Sequence, residues 1–322
     1  MRPGDPDPRL IRALVDRVFR PDAGSSVERV AEGVSTFVYR IRRAAETFYL
    51  RVLPERDVSF APEVRVHQLL SERGVRVPEV VYWEHRDPLL GRSMMVTTEI
   101  PGSHLGHRPV DEATRQIVFE AGQQLAIVNA VPVAGFGWVR RDQGERCDRA
   151  EVTELAGEHS TLRSFAFEHL EADLAALERQ RLLAEHDVTA IRGLVEAHLS
   201  WLDAHDAVLA HGDFDATQIF QQDGRYTGII DLGEIRGTDR WYDLGHFRMH
   251  DGEMLPVPVL DWLLEGYRSV VPLPADYDRR IAFASLLIAV RALARSLERR
   301  PKLAARHHAR TSIPRDLAVL LT

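Results

Sequence analysis

The chain has 322 residues, of which 45% are hydrophobic and 28% charged, with a formal net charge of −7. That balance belongs to an ordinary globular protein and excludes a disordered or fibrous chain, while the acidic excess offers no basic field for the phosphates of DNA or RNA. At this length two lobes sharing the chain are the natural expectation.

The single cysteine, Cys147, has no intrachain partner for a disulfide, and its neighbours Arg146 and Asp148 do not build a nucleophile's surroundings, so a reducing cytoplasm is expected. The opening MRPGDPDPRL carries prolines and aspartates where a signal peptide needs an apolar run, so no targeting segment is expected. The most apolar late stretch, Ile281 to Val290, stops at Arg291, well short of the ~20 residues of a membrane span. It reads as a buried helix, and no membrane partner is expected.

In chain order, Leu10 to Phe19 has helical apolar spacing (Leu10, Leu14, Val18) that ends before Pro21. From Val27 the texture becomes extended: VERVAEG, FVYRIRR and TFYLRVLP are rich in β-branched and aromatic residues and predict three antiparallel strands. Ala61 to Arg73 returns to helical spacing and stops at Gly74. VPEVVYWEH and SMMVTTEI supply two more strands, after which Pro101-Gly102-Ser103 is a turn signal. The lobe boundary is placed there, giving an N-terminal lobe over 1–100 and a C-terminal lobe over 101–322.

Beyond the boundary the pattern is mainly helical: Asp111 to Asn129, Leu162 to Glu178, Val188 to Ala204, Pro258 to Val270 and Arg279 to Arg299. Two short apolar runs, AVLAHGD and YTGIID, interrupt it and read as small strands carrying a catalytic loop. His307 and His308, with Arg306 and Arg310, lack the spaced partners of a metal site and read as a solvated tail.

The strongest signal is His211-Gly212-Asp213-Phe214-Asp215-Ala216-Thr217-Gln218 followed by Ile229-Ile230-Asp231. A carboxylate ending one strand, a carboxamide five residues on and a carboxylate ending the next strand can orient a hydroxyl nucleophile and hold a divalent metal on a triphosphate. Phosphoryl transfer needs this kind of group, because positioning and charge neutralisation do most of its catalytic work. The bland alternative makes Asp213 and Asp231 ordinary capping carboxylates of loops.

The segment resembles the catalytic region of the aminoglycoside phosphotransferase family: H-G-D-x-x-x-x-N, a short hairpin, I-D, then G-x-D-x-x-x-D-L. Here these are HGDFDATQ, the turn at Asp223-Gly224, IID, and Gly237-Thr238-Asp239-Arg240-Trp241-Tyr242-Asp243-Leu244. The resemblance implies that Asp213 is the base or orienting carboxylate, that Gln218 and Asp231 are metal ligands for Mg²⁺, and that Asp243 is structural. Gln218 departs from the family's usual Asn and is one methylene longer; Asp215 stands where many relatives have His and receives no role.

In the N-terminal lobe, the turn Glu32-Gly33-Val34-Ser35-Thr36-Phe37 offers a glycine and two hydroxyls that can approach phosphate oxygens. Arg51 occupies the place where kinase-like enzymes carry a phosphate-binding Lys, with Glu63 placed to pair with it; without the other motifs the two would be an ordinary surface ion pair. Val96 to Ile100 resembles the hinge strand, which puts Glu99 and Ile100 at the adenine edge. The resemblance runs from about Val27 to the last helices and includes LAIVNAVPVAGFGW.

Three features keep two readings. His211 is architectural or a proton shuttle, with the first preferred; Glu234 is a second metal ligand or a solvated carboxylate. The stretch Ala150 to Glu178, with seven acids against Arg163 alone, is either a solvated face or part of the acceptor pocket.

The fold expected is therefore α+β and protein-kinase-like: a five-stranded antiparallel sheet with a helix between strands 3 and 4, then a mostly helical lobe. The expected reaction is transfer of the γ-phosphate of ATP or GTP to a hydroxyl of a small molecule, an aminoglycoside-like or other cationic antibiotic. The rivals are a metabolic kinase of the same fold acting on choline, homoserine or a sugar, and a non-catalytic nucleotide-binding module.

Overall fold

The computed structural model describes residues 4–20, 24–30, 36–106, 108–141, 154–304 and 307–322, with the side chains of 301 and 302 outside that description. Glu32 to Ser35, Cys147, Glu151 and Arg306 lie outside the described residues. The chain divides into two compact units: Met1–Pro101 with Arg140–Leu155 and Gly228–Ile230, and the remainder.

The first unit begins with α1 (Pro8–Val18), capped by the Asp7 carboxylate, which accepts the Arg9 N–H at 2.8 Å. Strands β1 (Ser26–Val30), β2 (Phe37–Arg43) and β3 (Glu46–Val52) follow, then α2 (Ala61–Glu72), β4 (Val80–Glu84) and β5 (Met94–Thr98). The strands form one antiparallel sheet of order β1-β2-β3-β5-β4. Period-2 alternation decides its faces. Phe37, Tyr39 and Ile41 of β2 and Phe48, Leu50 and Val52 of β3 pack with Ile11, Leu14 and Val15 of α1. Met95 packs instead with Leu53, Phe60 and Val64, the last of them on α2. The five strands and the intervening helix are those the sequence predicts.

The second unit carries β6 (Ser103–His104), α3 (Glu112–Val128), β7 (Pro132–Val133), β8 (Phe136–Val139), β9 (Gly157–His159), α4 (Leu162–Phe167), α5 (Leu170–Arg179) and α6 (Glu185–Ala197). It continues with β10 (Ala207–Ala210), β11 (Ile219–Gln222), β12 (Arg225–Ile229, of which Gly228 and Ile229 belong to the first unit), β13 (Arg236–Thr238), α7 (Trp241–His250), α8 (Leu260–Val270), α9 (Tyr277–Arg299), α10 (Pro301–Ala304) and α11 (Ala309–Leu320). Two small sheets, β7-β10-β13-β8-β9 and β12-β11-β6, support the loops between them. Helices α3 and α8 approach so closely that a Cβ on Gly122 would stand 2.1 Å from the Leu263 carbonyl oxygen, and one on Gly266 would stand 1.9 Å from that of Phe119.

Three expectations are corrected. The helix predicted over Leu162 to Glu178 is two helices, because α4 packs on β8 and β9 whereas α5 packs on α9, and one straight cylinder cannot serve both. Strands β6 to β9 and β13 and helix α7 were not anticipated; α7 buries Leu244, Phe247 and Met249 around most of its circumference and so shows no amphipathic period. The supposed solvated tail is α11, which buries Ile313, Leu317 and Leu320, and the His308 ring stacks 6.0 Å from that of His250. Among the described residues no helix is long and apolar enough to cross a membrane.

Candidate active site

The loop after β10 is held by a carboxylate from a distant part of the chain. Asp243, fully buried in the first turn of α7, accepts the backbone N–H of His211 at 2.8 Å and of Gly212 at 2.9 Å. Asn129 Nδ2 donates to the same carboxylate at 2.9 Å and to the Leu209 carbonyl at 2.9 Å, and Asn129 Oδ1 accepts the Tyr267 hydroxyl at 3.3 Å. Three donors satisfy a carboxylate that would otherwise be costly to bury. Gly212 has φ +89°, and a Cβ there would lie 1.9 Å from the Glu234 carbonyl oxygen, so only glycine fits this turn.

The turn delivers Asp213 with its side chain 47% exposed. Its backbone N–H donates to His211 Nδ1 at 3.3 Å, so His211 acts here as a loop acceptor, the architectural reading. Asp213 Oδ1 lies 3.3 Å from His246 Nε2, while His246 Nδ1 lies 3.1 Å from the Phe214 carbonyl oxygen. Both ring nitrogens of His246 therefore face acceptors, which an imidazolium, donating from both, satisfies and a neutral ring does not. Burial pushes the His246 pKa down, but the hydrogen bond and charge of Asp213 outweigh it and raise it. Burial likewise pushes Asp213 up, and the hydrogen bond and charge of His246, helped by His211 and His250, hold it below its usual value.

Asp215 closes a local turn, accepting Thr217 N–H at 2.7 Å and Thr217 Oγ1–H at 2.5 Å. Gln218 follows, nearly buried, its backbone N–H on the Asp215 carbonyl at 3.1 Å. Its side-chain amide makes no hydrogen bond among the described residues. Asp231 sits just past β12 in the left-handed region, φ 62° and ψ 61°, an uncommon conformation for a non-glycine residue. Glu234 pairs with Arg236 at 3.3 Å; burial raises its pKa, and Asp213 and Asp231 add to the rise against the pull of Arg236. The three carboxylates thus share one neighbourhood.

Among the described residues no group of three or more His, Cys, Asp or Glu side chains is spaced to hold a metal by itself. One amide oxygen without a protein donor and one carboxylate are nonetheless hard donors of the kind Mg²⁺ takes when phosphate oxygens and water complete its shell. The residues present fit such an ion.

Within the first unit, Arg51 of β3 pairs through Nη1 with Glu63 of α2, whose second oxygen accepts Arg141 Nη2 at 3.3 Å. Glu63 is fully buried, so this is not the ordinary surface pair of the bland reading. The Arg51 guanidinium also lies 5.3 Å from the centre of the Phe60 ring. Thr36 is buried beside the start of β2; Ser35 lies outside the described residues. Glu99 and Ile100 follow β5, with the Glu99 N–H on the Thr47 carbonyl at 3.1 Å and its carboxylate accepting the Tyr49 hydroxyl at 3.0 Å. The carboxylate is therefore turned to the sheet's own tyrosine.

The profile of the phosphotransferase enzyme family matches residues 26–283. The chain belongs to that family. This phosphotransferase is 44% identical over 203 residues to an aminoglycoside 3'-phosphotransferase of Staphylococcus aureus, a match covering 62% of the chain and 70% of the relative. It superposes on a thermostable mutant of aminoglycoside phosphotransferase APH(4)-Ia, in ternary complex with AMP-PNP and hygromycin B, with a TM-score of 0.67 at 16% identity over 95% of this chain and 97% of that one. The GDP and kanamycin complex of APH(2")-IIia gives a TM-score of 0.63 at 17% identity, covering 96% and 98%. These likenesses establish the kinase-like fold of the phosphotransferase.

Sequence reasoning missed His246 and Asn129. His246 lies three residues after Asp243 on α7, so the two share a helix face, and that i, i+3 relation was the available signal. Asn129 ends α3 inside a segment singled out only as a whole.

Proposed function

We propose that this phosphotransferase moves the γ-phosphoryl group of ATP or GTP onto a hydroxyl of a small molecule, with aminoglycoside-like or other cationic antibiotics as the acceptor class. The observation that carries the reading is Asp213: a half-exposed carboxylate, kept ionised by His246, on a loop whose backbone is pinned by Asp243. Such a group orients an acceptor hydroxyl and takes its proton while the acceptor oxygen bonds to the γ-phosphorus and the bond to the β–γ bridging oxygen breaks. Mg²⁺, when bound, neutralises charge on the triphosphate, and Gln218 and Asp231 are the residues to hold it.

In this reading residues 1–100 form the nucleotide-binding lobe and 101–322 carry the catalytic loop, metal ligands and acceptor pocket. Arg51, fixed by Glu63, holds phosphate oxygens; Ser35 and Thr36 cover them; Glu99 and Ile100 offer backbone groups to the base. Dependence on a nucleoside triphosphate makes the cytoplasm the proposed location. The relatives named for aminoglycosides support the acceptor class.

The test is a panel of alcohols with Mg²⁺ and either nucleotide, reading nucleoside diphosphate release and the mass of the product. Aminoglycosides, other antibiotics, choline, homoserine and simple sugars form the panel. A phosphorylated antibiotic is the expected result; phosphorylation confined to a metabolite, or binding of nucleotide without turnover across the panel, overturns the antibiotic reading.

A further inference from the structure

The second unit encloses a cavity of about 300 Å³. Its aromatic wall is formed by Trp138, Phe165, Trp201, Trp241, Tyr242 and Phe283. Set into that wall are five arginines, Arg236, Arg280, Arg291, Arg295 and Arg299, against three acids, Glu168, Asp173 and Asp239.

The charges are not equally engaged. Arg236 lies between two rings, 4.2 Å from the centre of Trp138 and 4.8 Å from that of Tyr242, and pairs with Glu234. Arg280 binds Asp276 at 2.8 Å, and Arg291 binds Asp173 at 2.9 Å. Glu168 meets His159 at 3.3 Å and His169 at 3.6 Å, while Asp239 accepts the Trp241 N–H at 3.1 Å. The acids of the cavity are thus occupied by the protein. The side chains of Arg295 and Arg299 form no hydrogen bond or ion pair among the described residues.

Arg291, Arg295 and Arg299 stand at intervals of four on α9 and therefore form one row of like charge. Burial, then Arg299, Arg291 and Arg236, all disfavour the charge on Arg295, with Glu234 opposing them. Like charges four apart on a helix repel one another; Arg291 is answered by Asp173 and Arg299 stands in the last turn of α9, whereas Arg295 has neither relief. An anion offered to the row removes the repulsion, and guanidinium groups bind carboxylate, phosphate or sulfate bidentately. The aromatic wall beside it prefers a flat or apolar body.

We infer that this cavity binds an anionic group, held by Arg295 and Arg299, on an apolar or aromatic body packed against Trp138, Tyr242 and Phe283. The inference goes beyond the phosphotransferase reading and does not identify this ligand with the acceptor.

The experiment uses the full chain without nucleotide, so that binding is read apart from turnover. Tryptophan fluorescence is titrated with three probes of one shape: 2-naphthoate, 2-naphthylmethylammonium and 2-naphthylmethanol. The carboxylate is expected to bind at least about tenfold more tightly than the ammonium, and Arg295→Gln with Arg299→Gln to remove that preference while leaving the alcohol's affinity within about twofold. Phenyl phosphate and phenyl sulfate then rank the anion types. Equal binding of all three probes, tighter binding of the ammonium, or an unchanged preference in a variant that melts like the parent overturns the inference.

Discussion

The carboxylate of Asp243 accepts the backbone N–H groups of both His211 and Gly212, at 2.8 and 2.9 Å, so a residue in the first turn of α7 sets the path of the loop that presents Asp213. Removal of Asp243 strands these two donors and the Asn129 amide in a dry interior. Asp243→Ala is expected to lower stability by about 3 kcal/mol or more. Urea denaturation at neutral pH checks this; a loss below about 1 kcal/mol would show that water replaces the carboxylate without penalty.

Asp213→Asn tests the base. The amide keeps the shape and loses the ability to take a proton, so transfer is expected to fall by ~10²–10⁴, with nucleotide affinity within a few-fold because Asp213 is assigned to the hydroxyl. Single-turnover transfer and equilibrium nucleotide binding are the paired measurements. Near-normal turnover would move the role to Asp215.

His246 holds down the pKa of the proposed base. The folded-state pKa of Asp213 is depressed, with burial opposing and His246 supplying the largest depressing contributions, so its carboxylate stays ionised to lower pH than an ordinary one. His246→Gln is expected to shift the acidic limb of the kcat/KM profile upward, so that activity is lost at higher pH as the solution is acidified. His246 itself is raised, so the pair also loses its mutual attraction when pH climbs through the folded pKa of the imidazole and the ring becomes neutral. An acidic limb that does not move in the variant would remove His246 from the chemistry and leave it as packing under α7.

The two proposed metal ligands are separated by charge. Asp231 brings a negative oxygen and Gln218 a neutral one, so Asp231→Ala is expected to abolish Mg²⁺-dependent turnover or nucleotide binding almost completely. Gln218→Ala is expected to be intermediate and Gln218→Asn mild. Calorimetric titration of Mg²⁺–nucleotide into each variant gives the ranking; an unaffected Gln218→Ala enzyme sinks the assignment of Gln218.

Much of this protein was determined locally, and so was readable from the sequence. The alternation in FVYRIRR and TFYLRVLP sets two faces of a sheet whatever covers them, and HGD with IID names a carboxylate pair because each acid follows closely on a short strand. The pairing of Arg51 with Glu63 was legible only through the resemblance to kinase-like enzymes. Other features exist only once distant segments meet. Asn129 reaches Asp243 across 114 residues and Arg291 reaches Asp173 across 118, and no periodicity encodes such contacts. The buried helix α7 has no polar face to announce it, and the break between α4 and α5 answers to two separate partners. The ionisation of Asp213 belongs to this second group, because a pKa is set by burial and by the charge that stands beside it, and His246 stands there only in the folded chain.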